Sequence, residues 1–317
     1  MTGSEECVRL RHFERRTGAL PQSRMLSHRT TARAALILLV LGIVAGRAGA
    51  AQAPGQILFP VVGSASYADD FGDPRGQGRH EGNDILADRG APVVAVEAGK
   101  VEFWTTSSRA GCMLYLYGRS GTTYLYVHLN NDLTDGNDNR GSCAPGVAFA
   151  PGLRSGAKVR AGQLVGFVGD SGDANGIHPH LHFELHPHDG AAVSPFRWLE
   201  AADRLLFALP GPGEPAPSLA LYGTLVSASE GTLTIHASHV RMSNGWRFET
   251  SRDVTVAVPA GAVVERAIDG ERRPAAASGA TPGERVVVWT TPVPESLDAE
   301  LGSPGVLAAA QVLFRGM

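Results

Sequence analysis

Residues 180–185 read His180-Leu181-His182-Phe183-Glu184-Leu185, and polar and apolar side chains alternate at every position. Successive side chains of a β-strand point to opposite faces, so this pattern predicts a strand with one apolar face against a core. The other face carries two histidines and a glutamate. Residues i and i+2 of a strand lie about 6.5 Å apart, which brings the two imidazoles side by side. We therefore interpret this stretch as a core strand that also carries polar chemistry.

Two neighbouring histidine pairs compete with this one. His178 pairs with His180, and His186 pairs with His188, at the same spacing of two residues. A proline separates the members of each of these pairs and weakens a regular strand. A histidine-rich surface turn is the alternative interpretation of this segment.

A second alternating stretch, Tyr124-Leu125-Tyr126-Val127-His128-Leu129, predicts another strand. Regular alternation would place Tyr124, Tyr126 and His128 on one face and the aliphatic residues on the other. A lone histidine in such a strand is normally a satisfied sheet residue. We take Tyr126, on the predicted face of His128, as a candidate substrate-binding residue.

A third segment, Arg79-His80-Glu81-Gly82-Asn83-Asp84-Ile85, places an imidazole and a carboxylate four residues apart. A straight strand would hold them about 13 Å apart, so they can share a metal only if the backbone turns. Gly82 suits a turn because glycine accepts dihedral angles that other residues avoid. Together the three segments supply three ligands and two spare imidazoles, the set that a catalytic zinc with one open position needs.

Short strand-like runs bounded by glycine occupy residues 52–199, and helical periodicity is nearly absent. The helix candidate is Phe196–Leu206, opened by Ser194-Pro195. We predict an all-β protein with a signal peptide at residues 1–50, an antiparallel sheet or sandwich domain at 51–208, a Pro/Gly linker at 209–218 and a small β-barrel-like domain at 219–317. The predicted strands are Val93–Val96, Met113–Tyr117, Thr123–Leu129, Leu164–Val168, Leu181–Leu185, Leu221–Val226, Thr232–Ile235, Val254–Val258, Val286–Trp289 and Ala309–Phe314.

The amino-acid composition of the chain limits the kinds of partner that it can bind. The chain has 317 residues, 43% of them apolar and 19% charged, which is enough to bury a sizeable core. Its 28 basic and 31 acidic residues give a formal net charge of −3. Nucleic-acid binding needs a basic excess, so we expect no nucleic-acid partner.

The N-terminal segment reads as a secretory signal. Arginines precede the apolar run Ala34–Ala45, and Ala48-Gly49-Ala50 forms a small-x-small cleavage pattern. The run is shorter than the roughly 20 residues that cross a bilayer, so we expect cleavage and no stable membrane span. Met25 is an alternative start. We therefore expect an exported protein, either periplasmic or extracellular at the cell wall.

Export changes the interpretation of the cysteines. Cys7 precedes the apolar run, which leaves Cys112 and Cys143 as an even pair in an oxidising compartment. We predict a disulfide between them, with two buried thiols as the alternative. Closing about 31 residues would stabilise the fold by roughly 3 to 4 kcal/mol in the chain-entropy model.

Taken jointly, these segments resemble the lysostaphin/LytM-type zinc endopeptidases, which cut cell-wall peptides. The resemblance implies an exported hydrolase of peptidoglycan peptides with zinc as its cofactor. It implies His80, Asp84 and His182 as zinc ligands, with His128 and His180 orienting or deprotonating the water and stabilising the oxyanion. Which of those two is the general base stays open. The matching stretches, in family order across roughly residues 57–200, are FPVVG, FGDPRGQGRHEGNDI, GAPVVAVEAGKV, YLYVHL, AGQLVGFVGDSG, HPHLHFEL and SPFRWL.

The chain departs from the family pattern in two loops. The loop between Gly169 and His180 is slightly longer than usual, and a long insertion containing Cys143 follows His128. Both loops would border the groove. They bear on substrate preference rather than on catalysis, because every ligand position is filled.

Three other functions are open. A metal-free regulator of wall hydrolases typically lacks one or more ligands, and none is missing here. A biotinyl or lipoyl carrier is suggested by GAPVVAVEAGKV and VRAGQLVGFVGDSG, but Lys100 lies next to the turn rather than inside it. A serine hydrolase is suggested by Gly169-Asp170-Ser171-Gly172, but the rest of that site is absent, and a glycine-rich turn explains Ser171 better.

Overall fold

The computed structural model describes residues 54–76, 78–296, 300–303 and 306–316. The predicted signal segment, residues 1–50, lies outside the described residues. Within the described ranges, no helix is long and apolar enough to cross a membrane. Strands dominate what is described, so the all-β prediction is confirmed.

Eleven strands precede residue 210 in the described part of the chain, followed by one short α-helix. The helix, α1, spans Phe196–Glu200. The strands are β1 (Ala65–Ser66), β2 (Pro74–Arg75), β3 (Gly78–Arg79), β4 (Asn83–Ala87), β5 (Pro92–Val94), β6 (Gly99–Trp104), β7 (Cys112–Gly118), β8 (Thr122–Leu129), β9 (Lys158–Val159), β10 (Leu164–Phe167) and β11 (His180–Pro187).

The main sheet of this half has the order β1-β4-β11-β8-β7-β6-β9 among the described strands, and neighbours run antiparallel. One face packs on the core, where Ile85, Tyr124, Leu181 and Phe183 are fully buried. The β5–β10 pair adds residues such as Val93 to the same buried cluster. Alternation sends the intervening side chains of the main sheet to the opposite face. We call this the site face; it carries Asp84 on β4, His182 and Glu184 on β11, and Leu125 and Val127 on β8.

The helix prediction Phe196–Leu206 is wrong in length, because α1 ends at Glu200. The next residues are held in an extended path by partners distant in sequence. The carbonyl of Asp203 accepts a hydrogen bond from the N–H of Phe59 at 2.9 Å. Leu205 and Leu206 are buried in the core rather than on one face of a helix.

The C-terminal half forms a second sheet of the order β14-β13-β12-β17-β18-β15-β16 among the described residues. β14 also pairs with β18, which closes part of the sheet on itself, as the barrel-like prediction requires. The strands are β12 (Leu219–Ser229), β13 (Thr232–Met242), β14 (Arg247–Ala257), β15 (Val263–Ile268), β16 (Glu271–Pro274), β17 (Arg285–Thr290) and β18 (Leu307–Phe314).

Two of these strands were not predicted. β15 and β16 form a hairpin whose sequences, VVERAI and ERRP, lack a clear apolar alternation. Asp269 and Gly270 connect them at positive φ of 50° and 83°. An Asp-Gly pair with both φ values positive is the turn that two-residue hairpins favour. The Asp-Gly dipeptide was therefore the signal that could have located this hairpin.

Residues of the N-terminal and C-terminal halves touch. The ring of Trp246 lies 4.8 Å from that of Phe167, and the Arg252 guanidinium donates to the carbonyl of Arg204 at 2.6 Å. The division into a peptidase domain, a linker and a C-terminal domain at residues 209–218 stays a prediction.

The insertion that follows β8 is tied to the main sheet. Cys112, at the start of β7, forms a disulfide with Cys143. The Arg89 guanidinium bonds the buried carboxylates of Asp132, in the insertion, and Asp170. These contacts hold the insertion and the loop that begins at residue 170 together beside the site face.

Candidate metal centre and catalytic groove

His80, Asp84 and His182 converge at the edge of the site face. His80 Nε2 lies 2.8 Å from His182 Nδ1 and 3.0 Å from Asp84 Oδ1, and His182 Nδ1 lies 3.0 Å from the same oxygen. Among the described residues, these three form the single His, Cys, Asp and Glu cluster able to hold a metal ion. The sequence-predicted ligand set is therefore brought together in space.

The sheet register creates this convergence. Asp84 on β4 pairs directly with His182 on β11, and the turn before β4 returns His80 to the same point. Gly82 lies in that turn, but its φ is not positive, so the predicted reason for glycine is wrong. The actual reason is close approach: a Cβ on Gly82 would lie 2.5 Å from the carbonyl oxygen of Phe183 and 3.0 Å from the His182 ring.

The hydrogen bonds on the outer ring nitrogens fix both imidazole tautomers. His80 Nδ1 lies 2.9 Å from the Asp70 carbonyl oxygen, and His182 Nε2 lies 2.9 Å from Glu184 Oε1. Both oxygens only accept, which favours protons on these nitrogens, although the Arg75 guanidinium, a donor, also lies 3.1 Å from His80 Nδ1. When both imidazoles are neutral, the inner nitrogens present lone pairs to each other and to the Asp84 carboxylate, whereas a protonated His182 donates from Nδ1 to Asp84.

A positive charge among the three inner atoms satisfies this arrangement, either a proton on His182 Nδ1 or a metal cation that replaces it. A tetrahedral zinc with N and O ligands at about 2.0–2.1 Å separates its ligand atoms by roughly 3.3 Å. The three ligand atoms lie 2.8–3.0 Å apart, so each would move outward by only a few tenths of an ångström to reach the zinc separation. Outer-nitrogen bonds to a carboxylate and a carbonyl are also the usual support of histidine ligands. The residues present therefore fit a zinc ion.

The pKa values of the residues in this cluster are shifted by the charged groups around them. Burial alone would lower the pKa of His182, but hydrogen bonds to Asp84 and Glu184 raise it to about 9. Burial acts to raise the pKa of Asp84, while hydrogen bonds from His182 and His80 hold it far below its usual range. The pKa of Glu184 is lowered to about 2, because bonds to His182 and His186 outweigh its burial. Both carboxylates are thus anionic at neutral pH.

Two further imidazoles stand beside the ligand set. The rings of His128 and His180 lie 5.1 Å apart between centroids, and His180 Nε2 is 3.8 Å from Asp84 Oδ1. His128 Nδ1 lies 2.8 Å from the Ser171 carbonyl, and His180 Nδ1 lies 2.9 Å from the His178 carbonyl. Both Nδ1 atoms therefore donate, which leaves the Nε2 atoms as proton acceptors.

These side chains line a groove of about 490 Å³ on the site face. Loops rather than strands supply its rim. The rim and floor also include Arg75, Arg109, Met113, Val127, Asp173 and Ile177. Two histidine ligands, a carboxylate and two spare imidazoles in one groove form an arrangement that can bind a metal and transfer protons.

Comparison with known families agrees with this geometry. Residues 78–139 match the model of peptidase family M23, and the matched stretch includes His80, Asp84 and His128. The chain carries a peptidase family M23 domain.

Named relatives are similar over part of the chain. An L-Ala--D-Glu endopeptidase of Bacillus subtilis (strain 168) is 30% identical over 157 residues, 46% of this chain and 43% of that protein. A peptidoglycan DD-endopeptidase, ShyC, of Vibrio cholerae serotype O1 is 31% identical over 108 residues, 33% of this chain and 20% of that protein. This chain thus spans less than half the length of either relative.

A solved structure is also similar to part of this chain. The catalytic domain of the antimicrobial peptidase lysostaphin from Staphylococcus simulans is 25% identical, with a TM-score of 0.33. The match covers 43% of this chain and 92% of that domain.

The structure contradicts the substrate-binding assignment of Tyr126. His128 has a positive φ of 61°, which breaks the alternation of β8 at its end. Its ring therefore joins the groove, while Tyr126 and Tyr124 point into the core of the M23 domain. Tyr126 is 0% exposed and its hydroxyl accepts the N–H of Val96 at 3.0 Å. Tyr126 is a core residue with no path to a substrate.

Replacing Tyr126 with phenylalanine is expected to lower stability without changing the KM for substrate. The change leaves the N–H of Val96 buried without its partner, which costs about 1–3 kcal/mol. Urea unfolding and steady-state kinetics on the same preparation measure the two effects. An altered KM at unchanged stability would restore the substrate-binding assignment.

The M23 groove holds His128 neutral. Burial, together with the nearby His180, lowers the pKa of His128 to about 4. An unfolded histidine titrates near 6.5, so between pH 6.5 and 4 only the unfolded chain gains this proton. Stability of the metal-stripped protein is therefore expected to fall as pH falls through that window, by up to roughly 3 kcal/mol from this residue.

The His128→Asn variant isolates the contribution, because asparagine tolerates positive φ and does not titrate. Urea unfolding of both proteins at several pH values gives the comparison. The native protein should lose stability more steeply than the variant between pH 6.5 and 4. Parallel pH profiles would contradict a neutral, buried His128.

Sequence reasoning missed the residues that orient the ligands. Glu184 could have been found, since it shares the site face with His182 two residues away. Asp70 and Ser171 act through backbone carbonyls, for which no sequence signal exists. Arg75, on β2, donates to Asp84 Oδ2 at 2.9 Å, a contact that depends on the β2–β3 hairpin.

Proposed function

We propose that this protein is an exported, zinc-dependent endopeptidase that hydrolyses peptide bonds in bacterial peptidoglycan. The observation that carries the proposal is the convergence of two lone-pair nitrogens and one carboxylate oxygen within 3.0 Å of one another. The M23 match and the endopeptidase names of the relatives support it.

His80 Nε2, Asp84 Oδ1 and His182 Nδ1 would hold the zinc ion. Three protein ligands leave a fourth position open, which is the pattern of catalytic rather than structural sites. A zinc ion held there supplies Lewis acidity, polarising a carbonyl and lowering the pKa of water to about 7. Asp70 and Glu184 keep the two imidazoles turned inward.

His128 and His180 would move the protons of the reaction. Each has its Nδ1 proton committed to a backbone carbonyl and its Nε2 free to accept. One imidazole takes the proton of the attacking water and passes it to the amine that leaves the cleaved peptide bond. The other, at a ring distance of 5.1 Å, would donate to the carbonyl oxygen as negative charge develops only when its Nε2 is also protonated.

A metal-free regulatory role is the less favoured reading. It would leave a proton on His182 as the only positive charge among three inner atoms that have nearly the spacing of zinc ligands. No ligand position of the family pattern is substituted.

Export is supported by the disulfide. Cytosolic proteins keep their thiols reduced, whereas Cys112 and Cys143 are joined. The predicted signal at residues 1–50 agrees with this location.

The test is to purify the mature form from about Gln52 and incubate it with peptidoglycan, with and without a chelator, identifying released fragments by mass spectrometry. Chelator-sensitive release of peptide fragments is the expected result, and the fragments name the bond that is cut. Stoichiometric zinc with no release from any wall type would contradict a peptidoglycan substrate. Release that is indifferent to the chelator would contradict the metal.

A further inference from the structure

Three aromatic side chains form a row on the site face beyond the metal centre. The ring of Trp104 on β6 lies 6.1 Å from that of Tyr115 on β7 at an edge-on angle of 68°, and Tyr115 lies 6.1 Å from Tyr117 at 9°. Trp104 is 50% exposed and Tyr117 is 38% exposed. We call Trp104, Tyr115 and Tyr117 the aromatic row.

The aromatic row is continuous with the catalytic groove. Tyr115 on β7 pairs with Leu125 on β8, and Leu125 pairs in turn with Glu184 on β11. Glu184 is the residue that bonds His182. Trp104 pairs directly with Met113, which lines the groove. Neighbouring strands are about 4.8 Å apart, so the row begins roughly 10 Å from Glu184 across two strand spacings.

The three rings of the aromatic row are not part of the hydrophobic core. On the same strands Val101, Leu114 and Leu116 point to the opposite face and are fully buried, which supplies the apolar contact of β6 and β7. Large apolar side chains left together on a surface mark an interaction site more often than single exposed ones do. The row therefore has a binding role rather than a packing one.

The surroundings of the row favour an uncharged ligand. Lys100 and Glu102 flank it and form a mutual salt bridge at 2.7 Å, so their charges offset each other. Thr123 and Asp189 bond each other at the end next to Tyr117. Hydrogen-bonding groups thus lie beside the rings, and the Asp189 carboxylate leaves no excess of positive charge there that would attract a polyanion.

The backbone around the row excludes an added peptide strand. β7 is paired on both sides, with β6 and β8. On β6, the N–H of Val101 donates to the Ala157 carbonyl, and that of Phe103 donates to Ser155 Oγ. A peptide that binds by strand addition needs a free edge, which these strands do not offer.

We propose that the aromatic row binds the uncharged sugar rings of a saccharide chain. A pyranose presents an apolar C–H face that can lie on an aromatic ring, and its edge carries hydroxyl and amide groups that hydrogen bond. The proposal rests on the proposed function, because the saccharide is then the glycan to which the cleaved peptides are attached. The row holds that glycan beside the groove and raises affinity for polymeric wall over free peptide.

Calorimetric titration of the mature protein with a soluble hexamer of β-1,4-linked N-acetylglucosamine tests the binding directly. The double variant Trp104→Ala/Tyr117→Ala should bind at least about tenfold more weakly, a loss of about 1.4 kcal/mol. Tyr222→Ala, which removes an aromatic ring from the C-terminal sheet, is the matched control and should bind like the native protein. Urea unfolding checks that the exposed substitutions leave the fold intact.

No binding by the native protein, or equal binding by the native protein and the folded double variant, would overturn the aromatic-row proposal. A kinetic comparison separates it from the proposed function. The double variant should show a KM raised about tenfold on intact wall, with kcat and the cleavage of a sugar-free peptide unchanged. Hexamer binding that depends on the row, without any cleavage, would contradict the endopeptidase proposal and support the saccharide site. Cleavage without hexamer binding would contradict the saccharide site and support the endopeptidase proposal.

Discussion

Replacing His180 with alanine is expected to abolish turnover while the protein keeps its zinc. His180 Nε2 lies 3.8 Å from Asp84 Oδ1, next to the ligand set but outside it. Its loss removes a proton acceptor, and general acid–base groups contribute typically 100- to 10,000-fold. The three ligand atoms stay in place, so metal affinity should change little.

Zinc content by mass spectrometry and kcat on peptidoglycan fragments measure the two effects on one preparation. His178→Ala is the matched control, since His178 is exposed and its backbone carbonyl, which holds the His180 ring, survives the change. The control should retain both zinc and activity. Retained turnover in His180→Ala would remove His180 from the mechanism.

Replacing His182 with alanine is expected to remove both zinc and activity. His182 Nδ1 is one of the three inner atoms, and its partner Glu184 would keep only its bond to His186. With two protein ligands the site should no longer retain zinc through dialysis. The loss of turnover should match that of the chelated native protein.

His186→Ala is the control for this change, because His186 shares the strand and face and bonds the other oxygen of Glu184 at 2.6 Å. It supplies no inner atom, so stoichiometric zinc should remain. Equal zinc loss in the His180 and His182 variants would mean that the two histidines are assigned the wrong way round.

Much of the fold was predictable because the strands have strong local patterns. The alternation of residues 180–185 correctly placed Leu181, Phe183 and Leu185 in the core. The β15–β16 hairpin was missed because its apolar residues do not alternate with polar ones, and only its turn carries a signal. The helix after Pro195 was drawn too long because backbone partners distant in sequence hold residues 203–206 extended.

The candidate ligand set could be anticipated, but its geometry could not. His80 and Asp84 meet His182 only through the antiparallel register of β4 and β11, which no local pattern encodes. The positive φ of His128 is equally invisible in the sequence, since it depends on contacts made by the folded chain. Its N–H donates to the Ala110 carbonyl at 3.2 Å and its ring to the Ser171 carbonyl at 2.8 Å.

The positive φ of His128 explains why Tyr126 was wrongly predicted to bind substrate. Uninterrupted alternation puts Tyr126 and His128 on the same face, whereas the turned His128 backbone puts them on opposite ones. A non-glycine residue held at positive φ is uncommon, and such residues cluster at functional sites.

The most direct test of the metal centre is a crystal structure of the mature protein with zinc, using anomalous diffraction at the zinc absorption edge. We expect one strong peak within about 2.0–2.2 Å of His80 Nε2, Asp84 Oδ1 and His182 Nδ1. A peak bound by other residues, or a groove without a peak in zinc-saturated crystals, would contradict the assignment of His80, Asp84 and His182 as the metal ligands.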